Sequence, residues 1–336
     1  LYAARGVGSQ EDLDYGLARL PRFDRLEGMH EAASLLAEVV EAGGRIAIVG
    51  DYDADGASSC AVAVRALRGC GAGEIQTTVP NRFEDGYGLT PKIVDVLAPS
   101  RPDLLITVDN GIASLDGVAA ARQAGIRVLV TDHHLPGPEL PDADAIVNPN
   151  QPGDASGLSH LAGVGVVFLL MVAVRARLRE GGWFARREIP EPNLADLLDL
   201  VALGTVADVV PLDHANRLLV FQGVQRLRAG RCQPGLRALV EVAKRRPADL
   251  RAIDLGFVVG PRLNAAGRLE DMSVGVRCLL TDDLDEARQV AAELDGLNRK
   301  RRTIEARMEK EALEALETVS LGDEEALPAG LCLWEE

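Results

Sequence analysis

Short apolar runs alternate along the chain with longer stretches in which apolar positions recur every three or four residues. Helical spacing over Met29 to Ala42, stopped by Gly43-Gly44, predicts a helix that the glycines end. Ile46-Ala47-Ile48-Val49 then predicts a strand. The same pattern continues as helix 57–67, strand 75–79, helix 91–97, strand 103–108, helix 115–124 and strand 126–130. Strands alternating with helices through short connections predict an α/β fold, a parallel sheet flanked by helices. Helical spacing prevails from Leu161 to Val242, and residues 285–319 read as one charged helix. At about 1.5 Å per residue it approaches 50 Å, which suits a connector between lobes. Residues 1–28 show no clear period and read as an irregular or helical arm. Gly330-Leu331-Cys332-Leu333-Trp334 resembles the beginning of a strand, so the natural protein is expected to continue.

Composition narrows the class. A length of 336 residues with 47% hydrophobic content is enough for one large or two ordinary domains with a real core. The net charge of −15 argues against a protein that coats nucleic acid non-specifically, and leaves room for an enzyme with a local basic groove. Cys60, Cys70, Cys232, Cys278 and Cys332 are scattered without CxxC spacing, so neither a disulfide framework nor a zinc site is indicated, and a reducing cytoplasm fits best. The longest apolar run, 164–174, is too short to span a bilayer and the N-terminus has no signal pattern, so no membrane role is expected.

The chemistry lies at the predicted strand ends, where parallel sheets bind ligands. The first strand runs into Gly50-Asp51-Tyr52-Asp53-Ala54-Asp55-Gly56, the third into Asp109-Asn110-Gly111, and the fourth into Asp132-His133-His134. Asp208 sits inside the apolar segment Leu203 to Pro211 and needs a partner there, because an unpaired buried carboxylate is costly. Asp53, Asp55, Asp109, Asp208 and His133 are enough for two divalent cations sharing a carboxylate. Oxygen-rich ligation with one imidazole suits Mn²⁺ better than Mg²⁺. Two such cations, about 3.5–4 Å apart, support in-line displacement at phosphorus. Helix capping is the simpler role for any single Asp, but it requires neither a histidine nor three Asp in five residues. No Gly-x-Gly-x-x-Gly follows the first strand and no Gly-Lys-Ser/Thr occurs, so dinucleotide and P-loop sites lack their phosphate-cradling loops.

Asp53-Ala54-Asp55, Asp109-Asn110-Gly111, Asp132-His133-His134 and Ala207-Asp208 resemble the four ordered motifs of the DHH phosphoesterase superfamily. Within it, Gly50 to Gly56, Pro80 to Gly88, Leu161 to Gly165 and Gly260 to Arg268 closely resemble the RecJ single-stranded-DNA exonucleases. The resemblance implies that Asp53 holds the first metal, that Asp109 bridges, and that Asp55, His133 and Asp208 hold the second. Relatives that hydrolyse pyrophosphate carry a His four residues before the first of the paired Asp, where this chain has Val49, so Asp51 is a further candidate for the first metal. His134 would donate to the scissile phosphate or protonate the leaving oxygen. Asn81 and Arg82, with Arg262, Asn264 and Arg268, would bind phosphate and read a terminal 5′-phosphate. Phe83 and Tyr87 are the nearest candidates for base stacking.

These implications define expectations. The activity is a metal-dependent 5′→3′ exonuclease on single-stranded DNA, releasing 5′-mononucleotides in repair and recombination. A monomer working in the cytoplasm with single-strand-binding protein and a recombination helicase is implied. Rival readings are a DHH phosphodiesterase on short oligonucleotides, cyclic dinucleotides or polyphosphate, and a non-catalytic DHH-like replication scaffold. The expected domains are a catalytic unit over 1–282, with its parallel part at 29–150 and its helical part at 151–282, a connecting helix at 283–320, and the start of a second, truncated domain at 321–336. His160 and His214 are expected to be surface or packing residues, and the clusters 244–246 and 299–302 to be solvated faces or a DNA track.

Overall fold

The computed structural model describes residue 4, residues 7–20 and residues 22–318, so the expected strand beginning at Gly330 and the domain start at 321–336 lie outside the described residues. Three short 3₁₀ turns, Glu11–Leu13, Leu17–Arg19 and Phe23–Arg25, form the described part of the N-terminal arm.

The sheet has five strands, β1 (Ile46–Gly50), β2 (Ile75–Thr78), β3 (Leu104–Val108), β4 (Arg127–Thr131) and β5 (Ala145–Val147), all parallel and ordered β2-β1-β3-β4-β5. β1, β3 and β4 are apolar and almost wholly buried, as strands covered on both faces must be. One face packs against α3 (Pro91–Leu97) and α4 (Leu115–Gln123). The other packs against α1 (Met29–Glu41), α2 (Ala54–Gly69) and α5 (Gly163–Glu180). β5 was not expected: three residues among Asp and Pro carry too little periodicity to announce a strand.

The helical region continues through α6 (Trp183–Arg187), α7 (Leu198–Ala207), α8 (His214–Arg228), α9 (Pro234–Val242) and α10 (Ala252–Asp254). A π turn, Leu255–Val259, leads into α11 (Gly260–Leu269), followed by α12 (Ser273–Leu280) and α13 (Leu284–Thr318). The first part of α13 buries Ala287, Val290, Ala291, Leu294 and Leu297, whereas Met308 and Leu313 further along it are exposed. Among the described residues no helix is long and apolar enough to cross a membrane.

Strand register positions the site. Gly50 pairs with Val108, Val108 with Thr131, and Thr131 with Val147, so β1, β3 and β4 end level. The next residues, Asp51, Asp109 and Asp132, therefore emerge side by side. The strand order also reverses between β1 and β3, which opens a crevice beyond their carboxyl ends.

Candidate metal centre

The three strand ends and the end of α7 bring Asp51, Asp53, Asp55, Asp109, His133, His134 and Asp208 together, although up to 157 residues separate them along the chain. Potential ligand atoms lie within 4.8 Å of one another in three overlapping groups: Asp51, Asp53 and Asp109; Asp55, His133 and Asp208; and Asp109, His133 and His134.

Asp53 caps α2, its Oδ1 accepting from the Gly56 N–H at 2.9 Å. The helix therefore starts at Ala54, three residues before the expected position, and Asp55 lies in its first turn. Asp55 is fully buried against the start of α5, where its two oxygens accept from the N–H groups of Gly163 (2.7 Å) and Val164 (3.1 Å). A helix N-terminus is a favourable place for a carboxylate. Asp51 folds back so that its Oδ1 accepts from the Tyr52 N–H. Asp109 is buried in a left-handed conformation, φ 63°, which a non-glycine residue adopts only where its surroundings enforce it.

His133 Nε2 lies 3.1 Å from Asp109 Oδ1 and 3.5 Å from Asp208 Oδ2, so the imidazole sits between the two carboxylates. The ring also hydrogen-bonds the Leu161 carbonyl, which leaves Nε2 as a lone pair facing carboxylate oxygens. Asp109 Oδ1 and His133 Nε2 are both buried without a hydrogen-bond partner. Two acceptor atoms facing each other in a buried cleft fit a shared cation.

The electrostatics agree. Burial pushes Asp51 up to about 7, with the charge of Asp53 adding to it. Burial and Asp53 likewise raise Asp208 to about 7. Asp55 and Asp109 stand well above the ordinary carboxylate value, first through burial and then through neighbouring carboxylates. Burial lowers His133 to about 4, which keeps it neutral as a ligand must be. Positive charge delivered to the cleft would lower the four raised carboxylates and would keep His133 neutral.

Asp132 acts differently. It is buried, and accepts from the N–H groups of Ile112, His133 and His134 and from His134 Nδ1 at 2.7 Å. Burial pushes its carboxyl up, but the hydrogen bond and charge of His134 outweigh that and hold it below the usual range. The same hydrogen bond raises His134. The sequence placed Asp132 in a motif without assigning it work; its work is to orient His134. Tyr52 and Tyr87 complete this wall. Arg82 stacks 4.4 Å above the Tyr52 ring, Tyr52 packs edge-on to Tyr87, and Tyr87 packs edge-on to His134.

The expected phosphate-binding residues do not form one group. Arg82 and Arg268 are exposed and have no carboxylate partner among the described residues. Arg262 instead points to α13, where Asp295 accepts its donors, and also donates to the Val258 carbonyl of the preceding π turn. Asn264 accepts from the Ala54 N–H at 2.7 Å, and Asn81 Oδ1 closes its own loop onto the Phe83 N–H. These three serve contacts within the chain. Phe83 is exposed, and His160 and His214 lie elsewhere, His160 beside Asp213 and His214 against Tyr15.

Three glycines let backbones close around the ligands, and nothing in their residue type announced it. A Cβ on Gly163 would lie 2.4 Å from Asp109 Oδ1, one on Gly204 would lie 2.5 Å from Asp55 Oδ1, and one on Gly56 would lie 2.4 Å from the Asp51 carbonyl oxygen.

Comparison with known proteins agrees with this architecture. The family described as "DHH family, N-terminal domain" matches residues 45–205. The single-stranded-DNA-specific exonuclease RecJ of Dickeya dadantii is 55% identical over 99% of this chain, which spans 58% of that relative's length. A crystal structure of exonuclease RecJ bound to manganese aligns with 38% identity and a TM-score of 0.75, covering 86% of this chain and 70% of the other. RecJ from Thermus thermophilus in complex with Mn²⁺ aligns with 37% identity and a TM-score of 0.76, covering 93% of this chain and 43% of the other.

Proposed function

Since the chain belongs to the DHH family and, within it, to the RecJ exonucleases, we propose that it is the catalytic core of a metal-dependent exonuclease that digests single-stranded DNA from the 5′ end to 5′-mononucleotides. The observation that carries this reading is the buried, unpartnered pair Asp109 Oδ1 and His133 Nε2 at the centre of converging carboxylates.

Two divalent cations, Mn²⁺ or Mg²⁺, fit the donor set: Asp51 and Asp53 for one, Asp55, His133 and Asp208 for the other, with Asp109 between them. When bound, they would supply activation of water and neutralisation of charge developing at phosphorus. The chain's own residues do the rest. Asp132 holds His134 at the cleft, where the imidazole can donate to a phosphate oxygen or to the departing oxygen. Arg82, set over the Tyr52 ring, would offer its guanidinium to a terminal 5′-phosphate and so start digestion at that end. Asp51 has a carboxylate oxygen within 4.8 Å of those of Asp53 and Asp109, which supports it as a further ligand for the first cation where Val49 offers none.

On this reading the enzyme works in DNA repair and recombination, as a cytoplasmic monomer alongside single-strand-binding protein and a recombination helicase. Residues 1–282 form its catalytic unit and 283–320 lead to a second domain, with the exposed outer half of α13 supporting that role.

Digestion of end-labelled single- and double-stranded DNA with Mn²⁺ or Mg²⁺ tests the proposal. Mononucleotides should be released from the 5′ end of single strands, faster from 5′-phosphate than from 5′-hydroxyl ends. Asp109→Ala should abolish turnover under saturating Mn²⁺. Near-parental digestion by that variant, or cleavage confined to di- and trinucleotides, would refute the reading.

A further inference from the structure

The loop from Asp51 to Asp55 carries three of the candidate ligands and has few internal supports. Tyr52 N–H closes onto Asp51 and Gly56 N–H onto Asp53. The Ala54 N–H, at the first position of α2, has no acceptor within its own helix and would otherwise be left unpaired. Its acceptor comes from α11, 210 residues further along the chain: Asn264 Oδ1, at 2.7 Å. Three residues on, and so on the same face of α11, Gly267 lies so close under the loop that a Cβ would be 1.8 Å from the Tyr52 carbonyl oxygen. α11 is itself clamped. Arg262 pairs with Asp295 of α13 at 2.9 Å, with both side chains only 12% exposed, and Arg299 joins the same carboxylate at 2.8 Å.

We infer that Asn264 is a positioning residue for the metal centre: through the Ala54 N–H it fixes the loop that presents Asp51 and Asp53 to their cation. The inference rests on the metal reading above. An amide suits the task better than a carboxylate, because it supplies the acceptor without adding charge to a pocket that already holds Asp51, Asp53, Asp55, Asp109 and Asp208. It also gives the Arg262–Asp295 pair a consequence at the centre, since the face of α11 bearing Asn264 and Gly267 is kept against the loop by that pair.

Calorimetric titration of the chelator-treated protein with Mn²⁺ alone, paired with thermal unfolding, tests the inference without measuring activity. Asp53→Ala identifies the binding event that belongs to Asp51, Asp53 and Asp109. Asn264→Ala should weaken that event by about 10–100-fold, the usual effect of removing an outer support of a metal ligand, and leave the other within about threefold. Asn264→Leu keeps the side-chain volume without the acceptor and carries the same expectation, which guards against a variant that merely fails to fold. Asn264→Asp keeps an acceptor and should restore binding to within about threefold of the parent. Parental affinity at both sites in the Ala and Leu variants would overturn the inference, as would equal weakening of both sites. A parent that binds no Mn²⁺ would instead overturn the metal reading, and this inference with it.

Discussion

Gly163→Ala probes the centre where it is most tightly packed. Gly163 opens α5 without a positive φ, so the backbone accepts alanine, and helix propensity alone favours the change by up to about 1 kcal/mol. The added methyl, however, would stand 2.4 Å from Asp109 Oδ1 and 2.7 Å from its Cβ and Cγ, where ordinary contact begins at 3.4 Å. Relief therefore requires a displacement of about 1 Å, and neither partner can yield alone. Asp109 is buried in its left-handed conformation, and α5 holds Asp55 through the Gly163 and Val164 N–H groups. Whichever moves, the spacing between Asp55 and Asp109 changes.

A misplacement of about 1 Å in a catalytic constellation costs about 100-fold in rate, equivalent to about 2.7 kcal/mol of activation free energy. Overpacking would cost about 1–3 kcal/mol of stability, partly offset by propensity, so Tm should fall by only a few degrees. The assay is the initial rate on a 5′-phosphorylated single strand under saturating Mn²⁺, with unfolding followed in parallel. Gly296→Ala is the control. A Cβ there meets nothing within 4 Å, so it should stabilise α13 by about 0.5–1 kcal/mol and leave the rate unchanged. Digestion by Gly163→Ala within threefold of the parent would show that close backbone approach does not set the carboxylate spacing.

Three further outcomes are expected. Asp51 and Asp208 are raised to about 7 by burial, so they add stability below the unfolded carboxylate value and lose it as pH rises through about 7. In chelator, Tm should fall over that interval, and Mn²⁺ should raise Tm more at about pH 8 than at about pH 5; equal increments would contradict the assignment. Asp132→Asn keeps the side-chain shape but removes the charge that raises His134, so the rate should drop about 10–100-fold and its alkaline limb should move to lower pH; an unmoved limb in the pH–rate profile would exclude that role. Arg82→Ala should cut the preference for 5′-phosphate over 5′-hydroxyl ends about tenfold, the worth of one charged hydrogen bond, as read from paired digestions; an intact preference would place the 5′-phosphate elsewhere.

The sheet and the convergence of the candidate ligands were legible for a common reason. Buried parallel strands must be continuous apolar runs, so their ends are visible, and Asp51, Asp109 and Asp132 fall directly after three of them. The long helix was legible from its periodicity, and α3 from Pro91 at its start. What escaped was support. β5 is too short to show a period, and Arg262 and Asn264 sit in a motif that pointed to phosphate while their geometry points to Asp295 and the Ala54 N–H. Contacts made by backbone N–H groups leave no trace in residue type.

That hidden support explains how so acidic a cleft can fold. Asp51 and Asp53 each accept a nearby backbone N–H with one oxygen, Oδ1, which fixes the carboxylate. Asp55 has both oxygens against the start of α5, where the helix dipole offsets its charge, and Asp132 is satisfied by three N–H groups and an imidazole. Among the described carboxylates Asp109 is the one with a fully buried oxygen that has no donor, and it shares a ligand group with Asp51 and Asp53 and another with His133. The carboxylate with the least hydrogen-bond support is thus one of those proposed to hold the cations. It follows that Asp109 should be the position where removing the carboxylate costs most activity and least metal-free stability.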